Sequence, residues 1–160
     1  MEATRRATGE DADELDRLTR LATDELASQR GGRLWLAREG RSESVSELLH
    51  ALDHDEHRRC ILGTIDSVPV GYALGHVEEL RDGSRLAVVD ELYVEPRGRE
   101  VGVGEALLGD LVTWAEAQGC RGIDAFALPG NREPKNLFER EGLTARAILV
   151  HRSLAEGSAP

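Results

Sequence analysis

The chain of 160 residues is short of several things that would narrow its class at once. It has two cysteines, Cys60 and Cys120, and neither sits in a CxxC pair. That excludes a disulfide framework and a thiolate metal cluster, and fits thiols kept in a reducing compartment. It has one lysine, Lys135, and a net charge of −10 at pH 7. That argues against a nucleic-acid surface, where phosphates dominate affinity and demand a basic face. A cationic substrate is compatible with the acidic field. No apolar run approaches the roughly 20 residues that span a bilayer. The first residues, MEATRRATGEDADELDRL, turn acidic where a secretory signal needs an apolar core. The expectation is a soluble, cytoplasmic protein with no membrane and no nucleic-acid partner.

What is present is the pattern of one ordinary domain, expected over residues 1–154, with residues 155–160 (AEGSAP) as a frayed tail. Residues 2–7 read as a short strand. Leu15, Leu18, Leu21, Ala22 and Leu26 recur at helical spacing over 10–29, behind an acidic first turn. Residues 44–52 read as a second helix. From residue 58 the period changes to that of strands: RRCILGTI, VGYALGHVEEL and RLAVVDELYVEP, joined by DSVP and by a turn containing Asp82-Gly83. A helix of about four turns follows, with Leu107, Leu111, Trp114 and Ala115 on one stripe and Gly119 as its cap. RGIDAFAL reads as a strand, NREPKNLFEREG as a short helix capped by Gly142, and LTARAILVHRSL as the last strand. The order βααβββαβαβ is an α/β (α+β) arrangement.

The stretch RGREVGVGEALL, Arg97 to Leu108, joins the third strand of that meander to the long helix. Unpaired N–H groups at a helix N-terminus, with the helix dipole behind them, form an anion site. Gly102 and Gly104 let oxygens approach the backbone, and Arg97 and Arg99 add charge. A diphosphate suits successive N–H groups better than a carboxylate. The dinucleotide fingerprint G-x-G-x-x-G and the P-loop with its Lys-Ser/Thr pair are both absent. The glycines alone have a second reading, that they let the helix pack closely on the sheet.

The longer segment ELYVEPRGREVGVGEALLGDLVTWA resembles the GNAT superfamily, the acetyl-CoA-dependent N-acyltransferases. Arg99, Gly102 and Gly104 match its R/Q-x-x-G-x-G/A signature, with Leu92, Val94 and Pro96 ahead of it. NREPKNLFEREGL resembles the family's second element, through Asn131, Leu137 and Gly142. The resemblance implies a mixed, mostly antiparallel sheet of six to seven strands flanked by about four helices. It implies that Arg99, Glu100, Val101, Gly102, Val103 and Gly104 cradle the CoA diphosphate. Leu92, Tyr93 and Val94 would hold the pantetheine arm, with Asn131, Asn136 and Phe138 completing the cofactor site. The implied reaction is transfer of acetyl from acetyl-CoA to a primary amine by direct attack in a ternary complex, with no metal. The acceptor, small molecule or peptide, is not written in the sequence, and a homodimer is left open.

Phe138 stands where many relatives carry a tyrosine that protonates the leaving thiolate. Water or another tyrosine must then do so, and Tyr72 and Tyr93 are the only two. A catalytically degenerate domain that binds acyl-CoA as a sensor or interaction module is the alternative. Pro134 and Leu143 also depart from the pattern, the first tolerably in a helix's first turn. The chemistry needs a base more than an acid. A lysine-like amine with pKa near ~10.4 is deprotonated in only about one molecule in ~2,500 at neutral pH, a deficit of about 4–5 kcal/mol. Glu91 is the candidate base, expected on one strand face with Val89 and Tyr93, while Asp90 faces the other way; Tyr93 is the candidate acid. Glu91 pairing with an arginine and Tyr93 packing in the sheet are the structural readings of the same residues.

Three smaller features complete the inventory. HALDHDEH, residues 50–57, lacks any zinc motif and reads as a solvated polar loop. His76 reads as a hydrogen-bonded sheet histidine. Leu34 and Trp35, between the first two expected helices, are candidates for the acceptor pocket, with core packing as the alternative.

Overall fold

The computed structural model describes residues 1–155, which divide into two compact units. The first comprises Met1–Thr19 with Glu43–Ala125, and the second Arg20–Ser42 with the chain from Phe126 onward. Of the expected tail, all but Ala155 lies outside the described residues.

The first unit is built on a five-stranded sheet in the order β1-β2-β3-β4-β5. The strands are β1 (Glu2–Arg6), β2 (Arg58–Ile65), β3 (Val68–Glu79), β4 (Arg85–Val94) and β5 (Gly122–Asp124). The first four pair antiparallel and β5 joins β4 in parallel. The β2–β3 turn is made by Asp66 and Ser67, both at positive φ, and the β3–β4 turn contains Gly83 at φ +84°. The sequence signals for both hairpins are therefore realised in the chain conformation they require.

Helix α1 (Ala12–Ser28) is entered through a 3-10 turn, Gly9–Asp11. Asp11 is only 10% exposed and holds that junction: both its oxygens accept from the Arg5 guanidinium, at 2.7 and 2.8 Å, and one accepts from the Thr8 amide. These bonds lower its pKa to about 2. Helix α3 (Val45–Leu52) begins on a capping box, Ser44 and Glu47 each bonding the other's backbone N–H. Helix α4 (Val103–Ala117) packs on β1 to β4 and buries Val103, Leu107, Leu108, Leu111, Trp114 and Ala115. It ends at Gly119, φ +74°, where the Cys120 amide donates to the Ala115 carbonyl.

The second unit holds helix α2 (Gly32–Glu39) and helix α5 (Arg132–Arg140). Helix α2 covers a stretch that periodicity left between two helices, and it carries Leu34 and Trp35. Helix α5 ends at Gly142, φ +85°, as its glycine signalled.

Two expectations are corrected. The sheet has five strands, not six to seven, and the described residues contain five α-helices, not about four. RGIDAFAL contributes only Gly122–Asp124, because just those residues find partners on β4. LTARAILVHRSL enters no ladder at all: Ile148, Leu149, Val150 and Leu154 are 87%, 71%, 85% and 91% exposed. A strand needs a neighbour for its backbone groups, and strand propensity does not supply one.

Candidate functional site

The β4–α4 junction puts four features side by side along the chain. Pro96 stops β4 and opens a 3-10 turn, Pro96–Gly98. Arg99 folds back so that its Nε donates to the Val94 carbonyl at 2.7 Å, and its guanidinium lies 5.7 Å from the centre of the Tyr93 ring. Gly102 is the N-cap of α4 at φ +92°. A Cβ built on it meets nothing within 4 Å, so its glycine answers a backbone need and leaves open space in front. Close packing is required at other glycines: a Cβ would sit 2.6 Å from Val103 at Gly63 of β2 and 2.8 Å from Val94 at Gly98, while Gly104 is buried on α4. The two readings of a glycine in this region thus belong to different glycines. Beyond Gly102 the first amides of α4 have no helix carbonyl to bond, and the dipole makes that end positive.

Of the two arginines ahead of the turn, Arg97 donates to Glu95 at 3.1 and 3.3 Å, and Arg17 reaches the same carboxylate at 2.6 Å. Burial alone would raise the Glu95 pKa, but the two guanidiniums outweigh it and lower it. Arg97 and Arg17 thus share one carboxylate, and Arg97 keeps an exposed guanidinium beside the turn.

A β-bulge rearranges the candidate base. Leu74 pairs with Glu91 and Gly75 with Val89, so Asp90 is an extra residue in β4. Such an insertion breaks the alternation of faces. Tyr72 donates its hydroxyl to Glu91 at 2.8 Å, while His76 Nδ1 lies 2.7 Å from Asp90. Residues 72 and 76 share a face of β3, hence Glu91 and Asp90 share one too. Val89 is on the other face, opposite Gly75, whose built Cβ lies 3.5 Å from Leu111 and Trp114 of α4. The expectations that Asp90 faces away and that Val89 sits with Glu91 are both overturned, for this one reason.

The electrostatics of the two carboxylates differ. Burial pushes the Asp90 pKa up, with His76 and Arg58 partly offsetting it. Burial would lower the His76 pKa, but hydrogen bonds to Asp90 and Glu78 outweigh it and raise it. His76 is thus the hydrogen-bonded sheet histidine expected. Glu91 is half-buried, with the Tyr72 hydroxyl beside it. Tyr93 is 8% exposed under Arg99. The Tyr72–Glu91 pair was not found from sequence, although two consecutive acids inside an apolar strand, Asp90-Glu91, are a signal for a bulge.

The edge of β4 is the remaining feature of this unit. Its ladder with β5 covers Leu86–Val88 only, and the two strands pair no further. Leu92, Tyr93 and Val94 lie on the stretch beyond, toward the α4 turn.

In the second unit, Trp35 stacks on Phe126 with ring centres 3.5 Å apart and planes at 21°. Leu34 is exposed. Asn131 is the N-cap of α5, Asn136 is exposed on that helix, and Phe138 is buried. Pro134 falls in the first turn of α5, as expected.

Residues 52–57 of the polar run line a cavity of about 640 Å³ in the first unit, together with Arg6, Arg58, Arg59, Trp114 and Gln118. Among the described residues, no cluster of three or more His, Cys, Asp or Glu side chains could hold a metal ion, and no helix is long and apolar enough to cross a membrane.

The sequence profile of the acetyltransferase (GNAT) family matches residues 16–143. The chain belongs to that family. No curated protein matches the sequence. Solved structures do share the fold. AAC(6')-Iy, in complex with a CoA-S-monomethyl-acetylneamine bisubstrate analogue, is 15% identical with a TM-score of 0.74, over 97% of this chain and 99% of that one. A ribosomal-protein-alanine N-acetyltransferase from Brucella melitensis biovar Abortus 2308 is 17% identical with a TM-score of 0.70, over 97% and 100%. An aminoglycoside acetyltransferase, meta-AAC0020, from an uncultured soil metagenomic sample is 17% identical with a TM-score of 0.70, over 96% and 95%.

Proposed function

We propose that the protein transfers an acetyl group from acetyl-CoA to a primary amine by direct attack in a ternary complex. The observation that carries this is the β4–α4 junction. Open space in front of Gly102, the α4 amides and Arg99 form an anion cradle one short turn beyond β4, whose ladder with β5 covers Leu86–Val88 among the described residues. A diphosphate fits the cradle, and the pantetheine arm fits along Leu92–Val94 as an added strand would.

Glu91 takes the role of base, through a water. As the amine nitrogen attacks the acetyl carbonyl, its proton passes toward Glu91, and the carbon–sulfur bond then breaks to release the thiolate. Tyr72 orients the carboxylate. A thiolate leaves readily, so water suffices to protonate it where Phe138 has no proton to give. Trp35 and Leu34 are proposed to face the acceptor, whose class is left to an amine screen that reads free thiol. Small-molecule and peptide amines are both to be included, and a cytoplasmic location is proposed with this activity.

A second reading has its own observation. Phe138 has no proton to give, the Tyr72 hydroxyl is engaged by Glu91, and Tyr93 is nearly buried under Arg99. A degenerate domain that only binds acyl-CoA would show this as well. The two differ in turnover, not in CoA affinity. Gly102→Asp and Gly104→Asp are expected to abolish CoA binding by calorimetry, each adding a negative side chain at the cradle. Unchanged affinity in folded variants would remove both readings.

A further inference from the structure

We propose that the cavity beside the C-terminal end of α4 is a second ligand site, which holds a small oxyanion with a short apolar body, a carboxylate or a phosphate ester. Its volume of about 640 Å³ is that of a small-molecule site. Trp114, on its wall, stands about 17 Å along α4 from Val103, where the helix begins. The cavity is therefore separate from the anion cradle at Gly102.

The strand register brings two guanidiniums to one face of the sheet. Arg6 of β1 pairs with Ile61 of β2, and Arg59 precedes Ile61 by two residues, so Arg6 and Arg59 are diagonal neighbours on that face. Arg59 pairs with Gly75, whose built Cβ lies 3.5 Å from Trp114, so the face is the one under α4. Both arginines line the cavity. Like charges this near repel unless an anion offsets them. The chain supplies little of that anion. Among the described residues, Arg59 has Asp110 alone, at 4.0 Å, and that carboxylate also accepts from the Thr4 hydroxyl at 3.0 Å. Arg6 donates to the Leu52 carbonyl at 3.1 Å and makes no ion pair among the described residues. Arg58, also in the lining, is engaged by Glu43.

Two polar atoms are left over. His57 Nδ1 and Arg59 Nε are buried without a hydrogen-bond partner, and both residues line the cavity. Folded proteins rarely leave such atoms unmatched. An oxyanion matches both, accepting from Arg59 and from His57 in its Nδ1–H tautomer. The Arg59 side chain is 32% exposed, so an ion in the cavity reaches its guanidinium. Leu52 and Trp114, both buried, give the rest of the ligand an apolar wall. The acids of the lining set the size of the charge. Asp55 accepts from the His57 amide at 2.9 Å, Asp53 and Glu56 are exposed, and together they repel a polyanion.

This site does not depend on the acyl-transfer reading. It is tested on the full chain by NMR titration with butyrate and with butyl phosphate, and with butylamine as the opposite charge. Saturable shifts are expected with the anions at the amides of residues 57 and 59 and at the Trp114 indole, and none there with the amine; the tighter anion identifies the headgroup. Shifts confined to residues 99–104 would assign the anion to the cradle and overturn the second site. No shifts with either anion, or equal shifts with the amine, overturn it too. Gly102→Asp, which blocks the cradle, is expected to leave the cavity shifts in place, and their loss in that folded variant overturns the proposal. Arg59→Gln is expected to weaken anion binding by about 10-fold or more. Unchanged affinity in folded Arg59→Gln overturns it. Should that variant fail to fold, the position of the wild-type shifts still decides.

Discussion

Two apolar runs of the chain have nearly the same composition and opposite fates. Cys60-Ile61-Leu62 in β2 is buried to within 1% of complete, while Ile148-Leu149-Val150 stands almost wholly exposed. β2 lies between β1 and β3 and beneath α4, so its backbone groups are paired on both sides and its side chains meet Leu107 and Val103 from the helix side. The second run has the same preference for the extended form and, among the described residues, enters no ladder. Burial is conferred by partners, and strand propensity only makes a segment eligible for them.

The largest effect that would break this comparison is catalytic, because the site belongs to the paired region. Glu91→Gln should lower kcat by about 10²–10⁴-fold while leaving acetyl-CoA affinity nearly intact, and make the rate more dependent on high pH. Phe138→Tyr, on α5, should change kcat little. An unchanged rate and pH profile in Glu91→Gln would remove Glu91 as base without removing acyl transfer. No turnover in the wild type with any amine, with slow transfer restored by Phe138→Tyr, would favour the binding-only reading.

Next comes the direct pair. Leu62→Ala should cost about 2–5 kcal/mol in urea unfolding, through lost burial and the cavity left behind. Leu149→Ala, at a side chain 71% exposed, removes little burial and should change stability by no more than about 0.5 kcal/mol. Equal costs for the two would break the comparison.

Arg99→Ala is expected to weaken CoA binding by about 1–3 kcal/mol, by loss of charge-assisted bonds. Calorimetry with a pantetheine lacking the diphosphate sharpens this. A loss of the same size there would mean that Arg99 acts only by bracing the Val94 carbonyl and the Tyr93 ring.

The smallest expected effect is at Asp11, where β1 meets the turn into α1. Its folded pKa, about 2, lies below the ordinary 3.8. A depressed carboxyl pKa stabilises the folded state above the unfolded value, so the contribution is complete above about pH 4 and fades as pH falls toward 2. Allowing for the half-exposed Arg5, Asp11→Asn should cost about 1–2 kcal/mol at pH 6 and far less at pH 2.5, by urea unfolding at both pH values. A pH-independent cost would mean that Asp11 acts through packing alone.

Particular residues show how far the sequence could be read. Gly83, Gly119 and Gly142 all adopt the positive φ that their turn and cap positions imply. The α4 stripe, both hairpin turns and the glycine cap ahead of α4 follow the same local logic. Helix α2 was hidden because its eight residues, GRLWLARE, carry no clear apolar stripe. The facing of Asp90 was misread because alternation assumes a regular strand. The pairing of Arg97 with Glu95 lies two residues apart, but the Arg17 that shares Glu95 comes from a distant part of the chain and leaves no local signal.

The sequence by itself determined β1 to β4, α1, α3, α4 and α5, their order and the turn chemistry, because periodicity, φ preference and capping act over a few neighbouring residues. It also carried the cradle's glycine, whose need is a backbone angle at one position. Only the tertiary structure decided where β4 takes in an extra residue, and therefore that Tyr72 meets Glu91. It likewise decided that β5 stops after three residues and that Ile148 to Val150 stay outside the sheet. These outcomes depend on which backbone groups find partners far away in sequence, and a strand does not encode its own neighbour.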